Sequence, residues 1–333
     1  MSFNKILIIR LSSIGDIVLT SPVVRSIKNQ TNATIHYLTK LKNIDIVKNN
    51  PNIEKVFSVD QILDQMNSAN YDLIIDLQKN FRSIFLSMFL KKKIQSKFVT
   101  YNKKNIKKWL LINFRKDFLN NEHIVSRYFN SLKKYNIIND NKGLDYFISP
   151  LINKFNFPKK LPFEKSFFAW VIGGTYPQKK LSKSHIQKVC SEISVPVFLL
   201  GGIQDKQTGD EIKRYIDSTQ VYNLCGILSI DESAYVLKKA TIVLSNDTGL
   251  MHIASAFKKK IISFWGCTKP SLGMFPYQTD KKSIQIISNT SIFPCSKLGN
   301  KCRYTNLGCI NHIKVEEILI AIKKVMENNI YEL

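Results

Sequence analysis

The segment from Ser245 to His252 has the composition of an anion-binding loop. It reads Ser-Asn-Asp-Thr-Gly-Leu-Met-His and lies between an apolar run typical of a strand and a run with helical periodicity. Asp247 or Thr248 can cap such a helix, and Gly249 leaves the first free N–H groups uncovered. Those N–H groups and the helix dipole favour a bound anion such as a diphosphate. His252 could donate a hydrogen bond to a phosphate or a sugar, although an ordinary capped helix with a surface histidine gives the same pattern.

Two further glycine-bearing segments offer groups that suit a nucleotide diphosphate. One of them contains Thr175 and two adjacent lysines, Lys179 and Lys180. A lysine near a diphosphate would offset the charge that builds on the leaving group. The other ends in Asp205, whose carboxylate could accept hydrogen bonds from ribose hydroxyls. The Gly-Gly pairs that open these segments are weak signals alone, because many strands end in one.

Asp16 is a carboxylate that could act as a base. It follows Gly15 at the end of the first apolar run and opens a helical segment. A carboxylate that takes a proton from an acceptor hydroxyl is what an inverting sugar transfer requires. The helix N-terminus stabilises the charged form, so we expect Asp16 to be ionised and only mildly basic. Helix capping alone is the alternative role. The sequence contains no HExxH, GxSxG or P-loop pattern.

These segments follow short apolar runs, which predicts that strand ends position them. Buried parallel strands are predicted at 5–11, 34–38, 71–77, 167–172, 195–200, 241–244 and 260–265, and helices at 17–28 and 315–326. Strands that alternate with helices indicate an α/β protein with doubly wound parallel sheets, in which ligands bind at the carboxyl ends of strands.

The alternation is interrupted once, between residues 149 and 165, where three prolines have polar neighbours. A domain linker is predicted there. We therefore expect two Rossmann-like domains, an N-terminal one at 1–155 and a C-terminal one at 163–313. A helix at 314–333 would follow and could pack back on the N-terminal domain.

The formal charge of +24 is unevenly distributed. Residues 79–134 hold 15 Lys/Arg against Asp117 and Glu122, a net charge of +13 from 15 − 2. Aromatic residues such as Trp109 and Phe114 are interleaved with these basic residues. Such a surface can bind nucleic acid, anionic lipid headgroups or a phosphorylated substrate, and a solvated helix face is the plainer alternative. A basic nucleic-acid-binding protein stays an alternative class, although it leaves the strand-end motifs unexplained and no RNP, KH or helix-turn-helix signal is evident.

Three of the six cysteines, Cys295, Cys302 and Cys309, fall in one loop-like stretch. Zinc sites usually offer tighter cysteine pairs and four ligands. His312 could supply a fourth group, but the favoured interpretation is free thiols, so no metal site and no cofactor are predicted. The N-terminal apolar run is too short for a signal peptide, and no run approaches the ~18 apolar residues of a membrane span, which indicates a cytoplasmic protein.

The motifs together resemble glycosyltransferase family 9, the lipopolysaccharide heptosyltransferases. Residues 8–18 (IIRLSSIGDIV) look like the N-terminal motif of the family, and residues 246–254 (NDTGLMHIA) look like its nucleotide-sugar motif. Residues 264–266 (FWG) with Thr268 resemble the strand that follows. Cys267 stands where family members commonly have a proline, and the loop at Thr175 lacks acidic residues seen in some heptosyltransferases.

The resemblance implies two Rossmann-like domains that face each other across a cleft, the GT-B arrangement. The N-terminal domain would bind the acceptor and the C-terminal domain the donor. The implied reaction is an inverting, metal-independent transfer of heptose from ADP-heptose to the lipopolysaccharide inner core. The same machinery with another nucleotide sugar or another glycan acceptor is the alternative.

The resemblance also implies roles for individual residues. Asp16 would be the general base. The donor contacts would be Thr175, Lys179, Lys180, Asp205, Asp247, Thr248, Gly249 and His252. The acceptor contacts would be Ser13, Lys79, Arg82, His123 and Arg127. The acceptor of the family is a phosphorylated, Kdo-bearing lipid, so we expect a peripheral location on the anionic cytoplasmic face of the inner membrane and no nucleic-acid partner.

Overall fold

The computed structural model describes residues 3–60, 70–81, 83–85, 88, 96–151, 157, 161–216 and 220–327. The chain divides into two compact units, here called the first and second domains. The first comprises Met1–Lys104 and Glu122–Ser149, and the second comprises Asn105–Asn121 and Pro150–Leu333. The segment 105–121, which the sequence-based boundaries place in the N-terminal domain, therefore groups with the second domain.

The first domain is built on a five-stranded parallel sheet with the strand order β3-β2-β1-β4-β5. The strands are β1 (Lys5–Ile9), β2 (Thr34–Thr39), β3 (Lys55–Ser58), β4 (Leu73–Asp76) and β5 (Lys97–Thr100). The apolar side chains of β1 are completely buried, as expected for a central strand covered on both faces. The chain order reverses between β1 and β4, and ligands of such sheets bind outside the carboxyl ends at this point.

The helix predicted at 17–28 is two helices. The first, α1, covers Ile14–Val18, and α2 covers Ser21–Thr31. Pro22 lies in the first turn of α2, where its missing N–H removes no intrahelical hydrogen bond. The chain then contributes α3 (Asn105–Phe114) to the second domain and α4 (Ile124–Leu132) to the first.

The second domain contains a six-stranded parallel sheet with the order β11-β10-β9-β6-β7-β8. Its strands are β6 (Phe168–Val171), β7 (Val197–Leu200), β8 (Val221–Asn223), β9 (Ile242–Asn246), β10 (Lys260–Trp265) and β11 (Ile284–Ile287). Its further helices are α5 (Lys183–Glu192), α6 (Lys206–Ile216), α7 (Ile230–Lys239), α8 (Gly249–Ala256) and α9 (Val315–Met326). Because the strands are parallel, the loops after β6, β7, β9 and β10 emerge at one edge of the sheet.

The closing helix α9 packs on the sheet of the second domain, whereas the sequence analysis allowed that it packs back on the N-terminal domain. Ile318, Ile322 and Val325 are buried in one apolar cluster with Trp170 of β6 and Phe264 of β10. The apolar face of α9 is therefore covered by the sheet of its own domain. In the described part of the chain, no helix combines the length and apolar character needed to cross a bilayer.

Candidate functional site

Asn246, the last residue of β9, organises the loop that follows β6. Its side chain is completely buried. Its Nδ2 donates to the carbonyl oxygens of Ile172 and Gly173, each at 3.2 Å, and its Oδ1 accepts from the Leu181 N–H at 3.4 Å. Asn246 therefore ties both ends of the loop 172–181 to the end of β9. The sequence motif contains this residue, but its amide type alone does not reveal which backbone groups it reaches.

Asp247 joins three strand-end loops. Its Oδ2 lies 2.6 Å from Lys179 Nζ and accepts a hydrogen bond from Thr268 Oγ1 at 3.0 Å. The Lys179 and Asp247 side chains are 14% and 12% exposed. Asp247 thus holds the Lys179 ammonium at the carboxyl edge of the sheet, and Thr268 from the loop after β10 holds the Asp247 carboxylate.

Asp205 forms the second ion pair at this edge. Its Oδ1 lies 2.6 Å from Lys180 Nζ, and its Oδ2 accepts from the Gly202 N–H at 2.9 Å. A Cβ on Gly173 would lie 2.7 Å from that Oδ2, so only glycine leaves room for the carboxylate. Asp205 is 3% exposed. Its observed partners are all within the domain, and its contact with a ribose stays a prediction.

Helix α8 begins at this edge with a side-chain cap. Thr248 is the N-cap, because its Oγ1 accepts from the Met251 N–H at 3.4 Å. This settles the two capping alternatives, since Asp247 is engaged with Lys179 and Thr268 instead. The N–H groups of the first helical turn have no partner within a helix and point out of its N-terminus.

The two remaining donor candidates differ in exposure. Thr175 is exposed in the loop after β6. His252 is 2% exposed, so it is a buried residue of α8 rather than the surface histidine of the plainer interpretation. The loop after β6 passes close to the α8 cap, because a Cβ on Gly174 would lie 3.9 Å from Thr248 Cγ2. The structure therefore gathers the predicted donor residues at one edge of the sheet. Among them, Asp205 and His252 are buried.

This edge has the chemistry of an anion site. The N-terminus of α8 presents N–H groups and the positive end of the helix dipole. Lys179 and Lys180 add two ammonium groups, each now balanced by an aspartate. A diphosphate placed here would meet backbone donors, a threonine hydroxyl and lysine charge, which are groups that stabilise a phosphate leaving group.

In the first domain, Asp16 lies in the first turn of α1 and is held by two neighbours. Its Oδ2 accepts from the Ser13 N–H at 3.2 Å and from Ser13 Oγ at 2.9 Å. Its Oδ1 lies 2.6 Å from Arg10 Nη2. The Asp16 side chain is 22% exposed, whereas that of Arg10 is 6% exposed. The carboxylate is therefore fixed in place and still reachable.

Burial and the mutual charge of Arg10 and Asp16 act in opposite directions on the acidity of this pair. Burial alone would raise the pKa of Asp16, but the Arg10 charge and the Ser13 hydrogen bonds lower it by more, so the pKa lies below its ordinary value. Burial alone would lower the pKa of Arg10, but the Asp16 charge together with Tyr128 and Tyr101 outweighs it, so that pKa is raised. Asp16 is therefore ionised at neutral pH and is a weak base.

Arg10 is a site residue to which the sequence analysis assigns no role. It follows β1, and its guanidinium donates to the carbonyl oxygens of Ser12 at 3.0 Å and of Leu77, and to Tyr128 Oη at 3.3 Å. The sequence does contain a signal for such a residue, because Arg10 is a charged side chain directly after a run of isoleucine and leucine. A buried arginine requires a partner, but the sequence does not say that the partner is Asp16.

Two predicted acceptor residues lie in loops that Gln78 joins. Gln78 Oε1 accepts from the N–H groups of Leu11 at 3.0 Å and Ser12 at 3.2 Å. Ser13 follows directly, and Lys79 is half-buried with a left-handed backbone at φ 50°. The structure thus brings the Ser13 and Lys79 loops together at the carboxyl edge of the first sheet, where Asp16 also lies.

The other acceptor candidates have different surroundings. His123 is 5% exposed and caps α4, its Nδ1 accepting from the Val125 N–H at 3.2 Å. Arg127 is 2% exposed, and its Nη2 donates to the Glu122 carbonyl at 2.7 Å. Arg82 lies outside the described residues. Both described side chains are engaged within the first domain, and their contact with an acceptor stays a prediction.

Comparison with known proteins decides the family. The family described as glycosyltransferase family 9 (heptosyltransferase) matches residues 59–305, which is most of the chain. This protein belongs to glycosyltransferase family 9. The resemblance drawn from the strand-end motifs is thereby confirmed, and the family 9 chain is a glycosyltransferase of the heptosyltransferase type.

Relatives of this family 9 member are similar over nearly their whole length. Lipopolysaccharide heptosyltransferase 1 of Campylobacter coli is 24% identical, with 96% of this chain and 98% of the relative covered. A solved family 9 glycosyltransferase from Veillonella parvula has a TM-score of 0.80 at 18% identity, covering 98% of each chain. Escherichia coli heptosyltransferase WaaC with ADP has a TM-score of 0.68 at 18% identity, covering 96% of this chain and 99% of that one. These structures confirm the predicted fold class of two Rossmann-like domains.

Proposed function

We propose that this family 9 glycosyltransferase moves heptose from ADP-heptose to the inner core of lipopolysaccharide, with inversion at the transferred sugar. The observation that carries the proposal is the anion site at the α8 N-terminus, where Lys179 and Lys180 are held by aspartates beside the Thr248 cap. The Campylobacter coli relative, a lipopolysaccharide heptosyltransferase, and the Escherichia coli structure with ADP support the acceptor and the donor base.

The second domain would bind the donor through its diphosphate. The phosphates would accept hydrogen bonds from the first N–H groups of α8 and from the Thr248 hydroxyl. Lys179 would turn from Asp247 toward the phosphate oxygens and offset the charge of the departing ADP, the task that a divalent ion performs in other transferases. We therefore propose that transfer needs no divalent ion, so that the rate is the same with and without added Mg²⁺ or Mn²⁺.

The first domain would activate the acceptor through Asp16. Its carboxylate would take the proton of the acceptor hydroxyl as that oxygen forms a bond to the anomeric carbon of the heptose. The bond from that carbon to the diphosphate breaks on the opposite face, ADP leaves, and the configuration inverts. Arg10 and Ser13 would keep the carboxylate aimed and ionised before the reaction, because both contact it directly.

A transfer assay with ADP-heptose and a Kdo-lipid acceptor tests this proposal. We expect turnover by the Asp16→Ala and Asp16→Asn variants to fall at least ~100-fold, the scale of lost general-base catalysis, while binding of ADP-heptose persists. The matched control is Asp45→Asn, which removes an exposed carboxylate that pairs only with exposed Lys48 in the described contacts. Near-normal turnover by both Asp16 variants would remove this carboxylate from the mechanism.

The same assay distinguishes the donor alternatives. The wild-type enzyme is offered ADP-heptose and then other nucleotide sugars with the same acceptor. We expect transfer from ADP-heptose to be the fastest by kcat/KM. A preference for another nucleotide sugar would retain the fold and the base and would replace the donor assignment.

Helix α3 supports a peripheral location on the cytoplasmic face of the inner membrane. It buries Leu111 against Leu119 and Leu272, but its Trp109 and Phe114 side chains are 54% and 57% exposed. Those two rings contact each other edge to face, with centroids 5.1 Å apart. The neighbouring Lys107, Arg115 and Lys116 are also exposed. Exposed aromatics beside basic residues suit an anionic lipid surface, to which each basic residue contributes about 1 kcal/mol.

A further inference from the structure

Four cysteine side chains of the second domain converge on one point. Cys267 follows β10, and Cys295, Cys302 and Cys309 come from the segment between β11 and α9. All four sulfur atoms lie within 4.8 Å of one another. The Sγ–Sγ distances are 3.7 Å for Cys267–Cys309 and 4.0 Å for both Cys295–Cys302 and Cys295–Cys309.

The fourth member of this cysteine cluster is one that the sequence analysis did not group with the other three. The wide spacing of the three C-terminal cysteines favoured free thiols, with His312 as the remaining potential ligand. In the structure His312 Nδ1 is 2.7 Å from Thr290 Oγ1, and the fourth sulfur comes from Cys267 instead. The spacing along the chain conceals the cluster because Cys267 belongs to a different strand-end loop.

The sulfur separations suit a tetrahedral metal ion. Four sulfurs about 2.3 Å from a zinc ion lie about 3.8 Å apart along the edges of the tetrahedron. The observed distances of 3.7 and 4.0 Å bracket that value. All six cysteines are present as free thiols, so the cluster contains no disulfide.

The surroundings suit the charge of such an ion. Zinc bound by four thiolates carries a net charge of −2, which is costly in a buried site unless positive groups lie close. Lys269 is 1% exposed and interacts electrostatically with all four cysteines, while its Nζ donates to the Ser288 carbonyl at 3.2 Å. A positive charge in this position stabilises thiolates over thiols and acts in the outer shell of a metal site.

We propose that Cys267, Cys295, Cys302 and Cys309 bind one thiophilic metal ion, preferably Zn²⁺, as a structural centre of the second domain. With four protein ligands the centre is closed, and it has no open position for a substrate or a water. Its ligands come from two loops, one after β10 and one between β11 and α9. The ion therefore closes the stretch of chain between Cys267 and Cys295. The segment 295–309 is otherwise poor in regular structure, and a metal centre compensates for the small core of such a segment.

The loops that carry the centre contact the loops of the anion site, so the ion also fixes that site; this step alone depends on the proposed function. Thr268, next to Cys267, donates to the Asp247 carboxylate that holds Lys179. Gly266 lets the two loops meet, because a Cβ there would lie 2.4 Å from the Ile310 nitrogen. Asn311 Oδ1 accepts from the Ser182 N–H at 2.6 Å, so the cysteine segment also holds the end of the Lys180 loop.

Metal analysis of the full-length enzyme, purified under reducing conditions without chelator, tests the centre itself. We expect about one equivalent of zinc, and six thiols that react with Ellman's reagent once the protein is denatured: the four of the cluster and the buried thiols of Cys190 and Cys225. Cobalt substitution should give the intense visible bands of tetrahedral thiolate coordination. Iron in place of zinc, bound by the same four thiolates, would equally support the site. Two disulfides found by mass spectrometry without reduction, or no bound thiophilic metal, would overturn the proposal.

Variants identify the ligands. The Cys295→Ser/Cys302→Ser double variant is expected to lose the metal, whereas Cys190→Ala, at a buried cysteine of α5 outside the cluster, keeps the full equivalent. A full equivalent of metal in the double variant would contradict the assignment of these cysteines as ligands. If the double variant does not fold, the metal and thiol content of the wild type still decides whether the centre exists. A raised KM for ADP-heptose with unchanged first-domain stability on metal removal would support the link to the anion site, and an unchanged KM would remove that link but not the centre.

Discussion

At the scale of single residues, the pair of Arg10 and Asp16 is expected to set the acid limit of transfer. Burial alone would raise the pKa of Asp16, but Arg10 and the Ser13 hydrogen bonds together hold it below its ordinary value. Asp16 therefore stays ionised, and its contribution to stability stays complete, at all pH values above the unfolded pKa of about 3.9. The charge of Asp16 and its contribution to stability are lost only as the pH falls further, through the lower pKa of the folded state.

Arg10→Gln should move the acid limb of kcat/KM to higher pH. Without the guanidinium charge, burial is left as the main influence and raises the pKa of Asp16, so transfer begins to fail at milder acidity. The pH profiles of the wild type and the variant measure this directly. Arg10→Lys keeps a positive charge and should return the profile toward that of the wild type. Identical limbs in all three enzymes would show that Asp16 is not the titrating base.

The adjacent lysines are predicted to have different roles. Lys179→Met leaves the partly exposed Asp247 with its Thr268 hydrogen bond, so we expect nearly normal stability and a donor Kd raised about 10-fold or more. Lys180→Met leaves buried Asp205 without its cation, which should cost roughly 3 kcal/mol of unfolding free energy. Urea unfolding and calorimetric binding of ADP separate the two. Equal effects of the two variants on both measurements would contradict the assignment.

The residue types in the sequence indicated which side chains lie together at the candidate site. They did not indicate which of these side chains pair with each other. The sequence pointed to Lys179, Lys180, Asp205 and Asp247 as a group, and the structure brings them together in two ion pairs. It could not match the lysines to the aspartates, because adjacent residues of a loop point in different directions. Arg10 received no role because its partner lies around a turn whose geometry the sequence does not specify.

At the scale of elements, the α8 N-terminus is expected to contribute both stability and binding. Thr248→Val removes the cap and the hydroxyl while keeping the shape, which should cost about 1 kcal/mol and raise the donor Kd. Ser182→Ala removes the equivalent cap of α5, where Ser182 Oγ accepts from the His185 N–H at 3.4 Å. This control should lose similar stability and bind ADP normally. Weaker ADP binding in the control to the same extent would reduce the Thr248 effect to stability alone.

Central strands were predictable, whereas peripheral ones were not. The isoleucine- and leucine-rich runs of β1, β4, β9 and β10 carry a signal of burial on both faces. Strands β3, β5, β8 and β11 lie at the edges of their sheets, are three or four residues long, and include exposed or half-buried positions. So short a run has too few apolar residues for its period to be recognised.

At the scale of the whole molecule, the uneven positive charge is expected to act with the exposed face of α3. We expect the protein to float with anionic liposomes at low salt and to be released as salt rises, because exposed charges are screened. Trp109→Ser/Phe114→Ser should weaken flotation, and Tyr215→Ser, at an exposed aromatic of α6, should not. Absence of the wild type from the liposome fraction at low salt would rule out the membrane role.

The domain boundaries were harder to predict than the folds. The prolines between residues 149 and 165 give a local signal of composition, and the two units divide at Ser149 and Pro150. The transfer of 105–121 to the second domain has no such signal. It depends on Leu111 and Leu119 packing against Leu272, a contact between residues that are more than 150 positions apart.

This exchange of one segment decides how the protein can be divided in the laboratory. A gene fragment that begins at residue 150 encodes the sheet, the anion site and the cysteine cluster, yet it omits the helix that covers Leu272 and Phe293. The product would expose an apolar patch that residues 105–121 cover in the intact enzyme, and such a patch favours aggregation. A soluble second domain therefore has to carry residues 105–121 as a graft, and a fragment ending at residue 149 is better made with that stretch replaced by a short polar loop.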